Sequence, residues 1–321
     1  MQPKGLSEGI YFNLSNEDYH DDPAISNSNI KNLLISPMKY WRNSPLNPKR
    51  KYKQTPSMKM GNALHCYLME KERFYRDYVV LPKLDIDSDF YKLESQKTDF
   101  NQNFSLRKTK DAKTFEYIGS KIKISEEDFA EIKERVDYFE SLPTAGALFQ
   151  DGFMEVSIFW RDAETGLMCK CRMDWLALVY IADYKSLENI TKIKNQIGDY
   201  DYYIQAAYYM EGLRIFKQNP KCHDANTQQE AFVKELIKIP SSKFVFAFQE
   251  KEDLMVRLKM FREDVIESAE HLFRRGLDIY KTNIEKYGVE RWEDDYKKEG
   301  EGDIEILGWE DLPTWIQYKY M

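Results

Sequence analysis

The chain has 321 residues, 42% hydrophobic and 14% aromatic, which is enough for a sizeable core and too apolar for general disorder. A formal net charge of −7 excludes a globally basic nucleic-acid-binding surface, although a local basic groove is compatible with an acidic exterior. No stretch approaches an 18-residue apolar run and the N-terminus has no apolar signal core, so the expectation is a cytoplasmic protein with no membrane association.

After an extended start, Ser26 and Ser28 offer N-caps for a short helix, and Pro37 ends it and can open another turn. Residues 42–57 (RNSPLNPKRKYKQTPS) predict a polar loop, followed by a helix with Met60, Leu64, Tyr67 and Leu68 at helical spacing. Residues 81–112 are polar and without periodicity, and read as an irregular, lid-like stretch. Ser125 to Asp128 resembles a capping box for a helix reaching about Ser141. FMEVSIFW (153–160), a DAETG turn (162–166) and LMCKCRMDWLALVY (167–180) predict a strand hairpin. YIADYKS (180–186) predicts a third strand leading into one long helix over roughly 190–217. A polar linker (219–229), a short helix, two more strands (243–251 and 254–260), an amphipathic helix (262–286) and a Trp-rich tail complete the chain. Hairpin, strand, crossover helix, strand is an α/β pattern in which the third and fourth strands run parallel. A single domain is expected, with an N-terminal extension (1–57), a core (58–260) carrying the 81–112 insertion, and a C-terminal helix and tail (261–321).

Four cysteines are too few and too irregular for a disulfide framework. Cys169 and Cys171 would face one side of a strand and, with Cys222 and His223, could be drawn as a zinc site, but reduced, partly buried thiols explain them without a metal. The segment CRMDWLALVYIADYKS (171–186) is more informative, because it sets Asp174, Asp183 and Lys185 among apolar strand residues. Burying an unpaired carboxylate is costly. If the second and third strands are neighbours, Asp174 and Asp183 converge at one edge of the sheet, and two such carboxylates repel unless a cation lies between them. A hard cation such as Mg²⁺ suits oxygen ligands, and Lys185, two residues beyond Asp183, shares its face. That set suits phosphodiester hydrolysis. A structural Asp183–Lys185 ion pair, with Asp174 at an exposed strand end, explains the same spacing equally well. Paired carboxylates also occur in glycosidases, a reading that leaves Lys185 and His65 without a role.

Gly61-x-x-x-His65, Glu155, Arg172-Met-Asp174-Trp, Asp183-Tyr-Lys185-Ser and Gln205-Ala-Ala-Tyr-Tyr209 occur in the order seen in RecB-like members of the PD-(D/E)xK nuclease superfamily. The segments ETGLMCKCRMDWL, ADYKSL and DYYIQAAYYMEGL, with EDYHDDPAISNSNIKNLLISPMKYW near the start and LPTWI near the end, resemble RecE-type exonucleases (exodeoxyribonuclease VIII) most. The resemblance implies a PD-(D/E)xK nuclease core, with a central mixed sheet (an antiparallel hairpin plus a parallel crossover) flanked by helices. It implies that His65, Asp174 and Asp183 ligate Mg²⁺, for which Mn²⁺ can substitute, with the Tyr184 carbonyl as a further contact. Lys185 becomes the catalytic lysine, Glu155 lies near the metal or its waters, and Gln205 and Tyr209 brace the site or touch a DNA phosphate. The implied activity is 5′→3′ degradation of one strand from an end of double-stranded DNA, leaving 3′ overhangs for a single-strand annealing partner in phage-type recombination. A homo-oligomeric ring, a tetramer by analogy, with a basic inner surface including residues 47–53, and a bacterial or phage-infected host cell are implied as well. Tyr184-Lys185-Ser186 departs from the small aliphatic, Lys, Thr found in many relatives. Two alternatives are a Cas4-like or single-strand-specific nuclease, and a non-catalytic DNA-binding protein on a nuclease fold.

Overall fold

A computed structural model describes residues 2–50, 55–81, 119–293 and, for the backbone only, the strands at 104–108 and 113–117. A six-stranded mixed sheet lies at the centre. It consists of β1 (Gly9–Tyr11), β6 (Gly152–Arg161), β7 (Met168–Ala177), β8 (Tyr180–Leu187), β9 (Lys243–Glu250) and β10 (Val256–Lys259), in that spatial order. Neighbours are antiparallel except β8 and β9, which run parallel from Tyr180↔Lys243 to Leu187↔Glu250. The connection between those two carries α9 (Tyr202–Gln218) and α10 (Thr227–Leu236), as a parallel crossover requires. Two small sheets stand apart: β2 (Tyr78–Leu81) with β5 (Ile122–Ser125), and β3 (Phe104–Lys108) with β4 (Lys113–Tyr117).

Helices cover both faces of the large sheet. On one face α9 packs on β6 and β7, while α11 (Glu263–Tyr287) lies across α9 and α2 (Asn27–Ile35). Ile204, Tyr208, Phe273 and Leu277 there meet Ile158, Trp160, Cys171 and Phe246 in the larger core. On the other face α4 (Pro56–Met69), α5 (Lys71–Asp77) and α6 (Glu126–Ser141) enclose a second core, in which Leu64, Phe74 and Phe139 meet Trp175, Ala182 and Tyr184. The remaining helices are α1 (Asn16–Asp21), α3 (Pro37–Asn43), α7 (Pro143–Gly146) and α8 (Ile193–Asp199). Caps read from the sequence are made: Ser26 caps α2, Pro37 opens α3, and the Ser125 side chain accepts from the Asp128 N–H at the start of α6. Among the described residues no helix is long and apolar enough to cross a membrane.

Two expectations need correction. The long helix over 190–217 is broken: a 3-10 turn (Ile190–Lys192) and α8 precede a turn at Tyr200–Asp201, and α9 starts afresh. Asp201 sits in the left-handed region at φ +48°, a conformation aspartate tolerates better than most residues, and Gly198 weakens the helix just before it. Part of 81–112 is not irregular, because β3 forms within it; its partner β4 lies beyond residue 112 and left no local signature. A short edge strand, β1, had too few residues to show alternation. The tail expected to pack back, and residues 51–53 of the basic loop, lie outside the described residues.

Candidate active site

The site forms where the large sheet comes apart. Ladder pairing between β7 and β8 consists of Leu176↔Ile181 and Trp175↔Ala182 and then stops; the next pair in register would set Asp174 opposite Asp183. Beyond that point the strands diverge, which places two carboxylates at the mouth of the split.

The β6–β7 ladder is distorted at the same level. Met154↔Trp175 and Val156↔Met173 bracket an opposed pair, Glu155 and Asp174, that is not bridged. Met154 and Trp175 belong to the core under α4 and α6, whereas Val156 and Met173 belong to the core under α9. Residues two apart on a strand should share a face, so side-chain alternation is interrupted on both strands at this pair while the register is kept. Glu155 absorbs the change with φ +49°, an uncommon conformation for a residue with a long side chain.

Asp183 is 1% exposed. Its Oδ2 accepts a 2.5 Å hydrogen bond from Gln205 Nε2, which α9 brings in from the crossover. The other oxygen, Oδ1, lies 2.6 Å from the Lys185 ammonium yet accepts no directed hydrogen bond. Asp174 Oδ2 accepts from the Tyr184 N–H at 3.1 Å and stands 3.5 Å from Nδ1 of His65, which α4 presents from the other side of the split. Burial, and then repulsion from Asp183, push the Asp174 carboxyl up to about 6, against the opposing pull of His65 and Lys185. Lys185 loses hydration, but Asp183 and Asp174 hold its ammonium charged well above the ordinary lysine range. Its Nζ also lies over the Tyr202 ring, 5.2 Å from the centroid.

Not every residue singled out in the sequence reaches this cluster. Glu155 stands opposite Asp174, but its carboxylate pairs with Arg73 at 3.1 Å and lines a separate cleft of about 400 Å³ that also holds Arg76. Tyr209 follows Gln205 by one turn, and its ring packs on Phe244 at 5.9 Å; among the described residues its hydroxyl makes no hydrogen bond. The Tyr184 side chain turns to the opposite face, where its hydroxyl donates to Gln249 Oε1 at 2.5 Å. Cys169 and Cys171 are fully buried in the apolar core, and burial pushes the Cys169 thiol up to about 12, away from the thiolate a metal needs.

The sequence reading missed two cations. Lys31 of α2 donates to the Tyr200 carbonyl and lies over the Tyr202 ring, so two lysines flank one tyrosine. Burial, with Lys185 nearby, lowers Lys31 to about 8. Arg135 of α6 is 2% exposed. It falls within the buried row Ile132, Val136 and Phe139, so an arginine inside an apolar stripe was the available signal.

Among the described residues no three His, Cys, Asp or Glu side chains already cluster at metal-holding distance. The donors are nonetheless of the kind a hard cation takes: a buried carboxylate oxygen without a directed hydrogen bond, a second carboxylate repelled by the first, and an imidazole nitrogen beside it.

A family model described as a PDDEXK-like domain of unknown function (DUF3799) matches residues 26–270. The chain belongs to this PDDEXK-like family. Its fold is that of a PD-(D/E)xK nuclease, with the central mixed sheet and flanking helices anticipated from the motifs. The crystal structure of a Eubacterium rectale protein named "Putative exonuclease" superposes with a TM-score of 0.53, covering 93% of this chain and 97% of that one at 15% identity. At that identity the likeness is one of fold. No curated protein matches this PDDEXK-like chain.

Proposed function

We propose that this protein is a divalent-metal-dependent deoxyribonuclease, and more specifically an exonuclease acting on the ends of duplex DNA. One observation carries the reading: Asp174, Asp183 and Lys185 meet where β7 and β8 part, with Asp183 Oδ1 buried and without a directed hydrogen bond. A structural ion pair explains Lys185 against Asp183, but not the second carboxylate held against it with a carboxyl raised to about 6.

Asp174, Asp183 and His65 would hold the cation. When bound, it would supply positive charge to a phosphodiester and to the attacking water. Gln205 fixes the Asp183 carboxylate through Oδ2 and leaves Oδ1 facing Lys185. The Tyr184 N–H orients Asp174 in the same way. Lys185, 2.6 Å from Asp183 Oδ1, is placed at the cluster where its ammonium would donate to a phosphoryl oxygen as negative charge builds there. Packing of the Tyr202 ring against the Lys185 head group limits where that ammonium can go.

Action at duplex ends, 5′→3′ polarity, Mg²⁺ as the preferred ion, a ring-shaped homo-oligomer and a single-strand annealing partner rest on the resemblance to RecE-type exonucleases. The test uses blunt linear duplex, closed circular duplex and single strands, each with Mg²⁺, Mn²⁺ or EDTA, beside Lys185→Met and Asp183→Asn. Linear duplex should shorten only with a divalent ion and only in the wild type, while a strand labelled at either end reports polarity. Undiminished cleavage in both variants would refute the assigned chemistry, and digestion of closed circles would refute the exonuclease assignment.

A further inference from the structure

The cleft of about 400 Å³ bordered by Glu155 adjoins the carboxylate cluster without containing Asp174 or Asp183. The β6–β7 pair forms the wall between them: Glu155 stands opposite Asp174, and Trp175 follows Asp174 on β7. Phe12, Phe153 and Met69 give the cleft apolar surface.

Its charges are already matched. Arg73 pairs with Glu155 at 3.1 Å and with Asp77 at 3.3 Å, and Glu70 stands 3.9 Å away. Arg76 pairs with Asp77 at 2.8 Å. Among the described residues the lining has no cation left over for a phosphate. The chemistry that fits is a neutral body with apolar faces and a hydrogen-bonding edge.

Two donors on the wall are unmet. Gln229 of α10 is 7% exposed, and its Oε1 accepts from the Asn226 N–H at 2.8 Å, which fixes which end of the amide is nitrogen. That nitrogen has no partner among the described residues, and the surface Gln229 retains lines the cleft. Trp175 is 5% exposed, and its indole N–H is buried without a partner. It lies against Gly152, which also lines the cleft and where a Cβ would come within 2.6 Å of Nε1. Any larger residue at Gly152 would collide with that donor. An unmet donor costs folding free energy, and two on one wall call for a ligand that brings acceptors.

We propose that this cleft receives the base of the nucleotide at the end of the DNA strand, beside the phosphate being cut. The inference rests on the nuclease reading for its ligand. Every base carries carbonyl or ring-nitrogen acceptors for Gln229 and Trp175 and an N–H for the Glu155 carboxylate, which has more acceptor capacity than Arg73 uses. Its two faces suit Phe153 and Met69. The volume is at the small end for ligand clefts and holds one nucleoside, not a base pair, so the base enters unpaired. It belongs to either a 5′ or a 3′ terminus; the chemistry recognised is the same.

Binding in EDTA isolates the base from catalysis. Fluorescently labelled duplexes with a one-nucleotide 5′ or 3′ overhang, its base present or replaced by an abasic sugar, are titrated with wild type, Gln229→Met and Gln229→Glu. The overhang leaves no pair to open and the abasic sugar keeps every phosphate, so the ratio of the two affinities reports the base alone. The wild type should bind the abasic overhang about fivefold or more weakly at one of the two ends, and that end names the terminus that enters. In both variants the ratio should fall toward one. Gln229→Glu keeps an oxygen for the Asn226 N–H, so it decides the matter if Gln229→Met melts early. A ratio of one at both ends in the wild type would overturn the pocket, as would a wild-type ratio in folded Gln229→Glu. A ratio of one in a protein that cleaves linear duplex with Mg²⁺ removes the pocket and leaves the nuclease standing. A base-dependent ratio in a protein that never cleaves does the reverse.

Discussion

Replacing Asp174 by Asn should stabilise the metal-free protein, and only above about pH 4. The Asp174 carboxyl has an ordinary value near 3.8 and is pushed to about 6 in the folded chain, first by burial and then by Asp183. A raised carboxyl binds its proton more tightly in the folded state than in the unfolded one, so stability falls as pH rises between those two values. At about 1.4 kcal/mol per tenfold, the wild type should lose roughly 3 kcal/mol relative to Asp174→Asn from pH 4 to pH 7. Asparagine keeps an oxygen for the Tyr184 N–H and nearly the same shape, so the variant removes the charge and little else. Urea unfolding in EDTA at half-unit pH steps gives the difference profile, in which groups that titrate alike in both proteins cancel. Coincident curves at low pH that separate through the window from 4 to 6 are expected. A constant offset, or a wild type that gains on the variant as pH rises, would refute the account of a buried carboxylate held against a like charge that Lys185 only partly offsets.

Two other contacts give stability predictions away from the site. Arg274 of α11 bridges the Asp162 carboxylate, 1% exposed, and Glu211 on α9 at 2.8 Å. Arg274→Met leaves two buried acids short of their shared cation, and unfolding should cost roughly 3 kcal/mol less, toward the lower end for a broken buried pair because Arg214 and Thr165 still contact those acids. A loss under about 1 kcal/mol in urea would contradict this. Gly212 faces Trp160 so closely that a Cβ would lie 2.6 Å from the indole ring, whereas a Cβ at Gly198 meets nothing within 4 Å. Gly212→Ala should therefore destabilise by about 1–3 kcal/mol and Gly198→Ala stabilise by up to about 1 kcal/mol. Melting temperatures that move in the same direction for both would show that the α9–β6 packing is not as described.

The same physics explains why the free site is an unfavourable place for the fold. The split between β7 and β8 gives up ladder pairing, Glu155 takes a left-handed backbone, and Asp174 is held against a like charge. Each feature costs the chain on the order of 1–3 kcal/mol. All three fall at one level of the sheet, while the ladder on the Val156 side of β6 and all eight pairs between β8 and β9 are regular. Concentrated cost in an otherwise consistent fold marks a place shaped for a ligand rather than for stability.

How far the sequence revealed this depends on the range of the interactions involved. Strand alternation and caps are local, so β6 to β8, the parallel β8–β9 crossover and the capped helices were legible. Convergence of Asp174 and Asp183 also followed, because a hairpin offset of a few residues can bring them into register. What stayed hidden depends on partners distant in the chain. β1 is recognisable only beside β6, and β3 only beside β4. The break at Asp201 puts Tyr202 over Lys185 and frees the Tyr200 carbonyl for Lys31, a residue 154 positions from Lys185 in sequence. Motif order set Glu155 on the strand before Asp174 and near the metal or its waters, but could not show that Arg73, on a helix laid down earlier, would claim its carboxylate. Arg135 was visible as an anomaly, an arginine inside a buried row. Its meaning comes only from partners distant in the chain, the Tyr184 hydroxyl and Ser186 Oγ on β8, which share one guanidinium with Glu131 of its own helix.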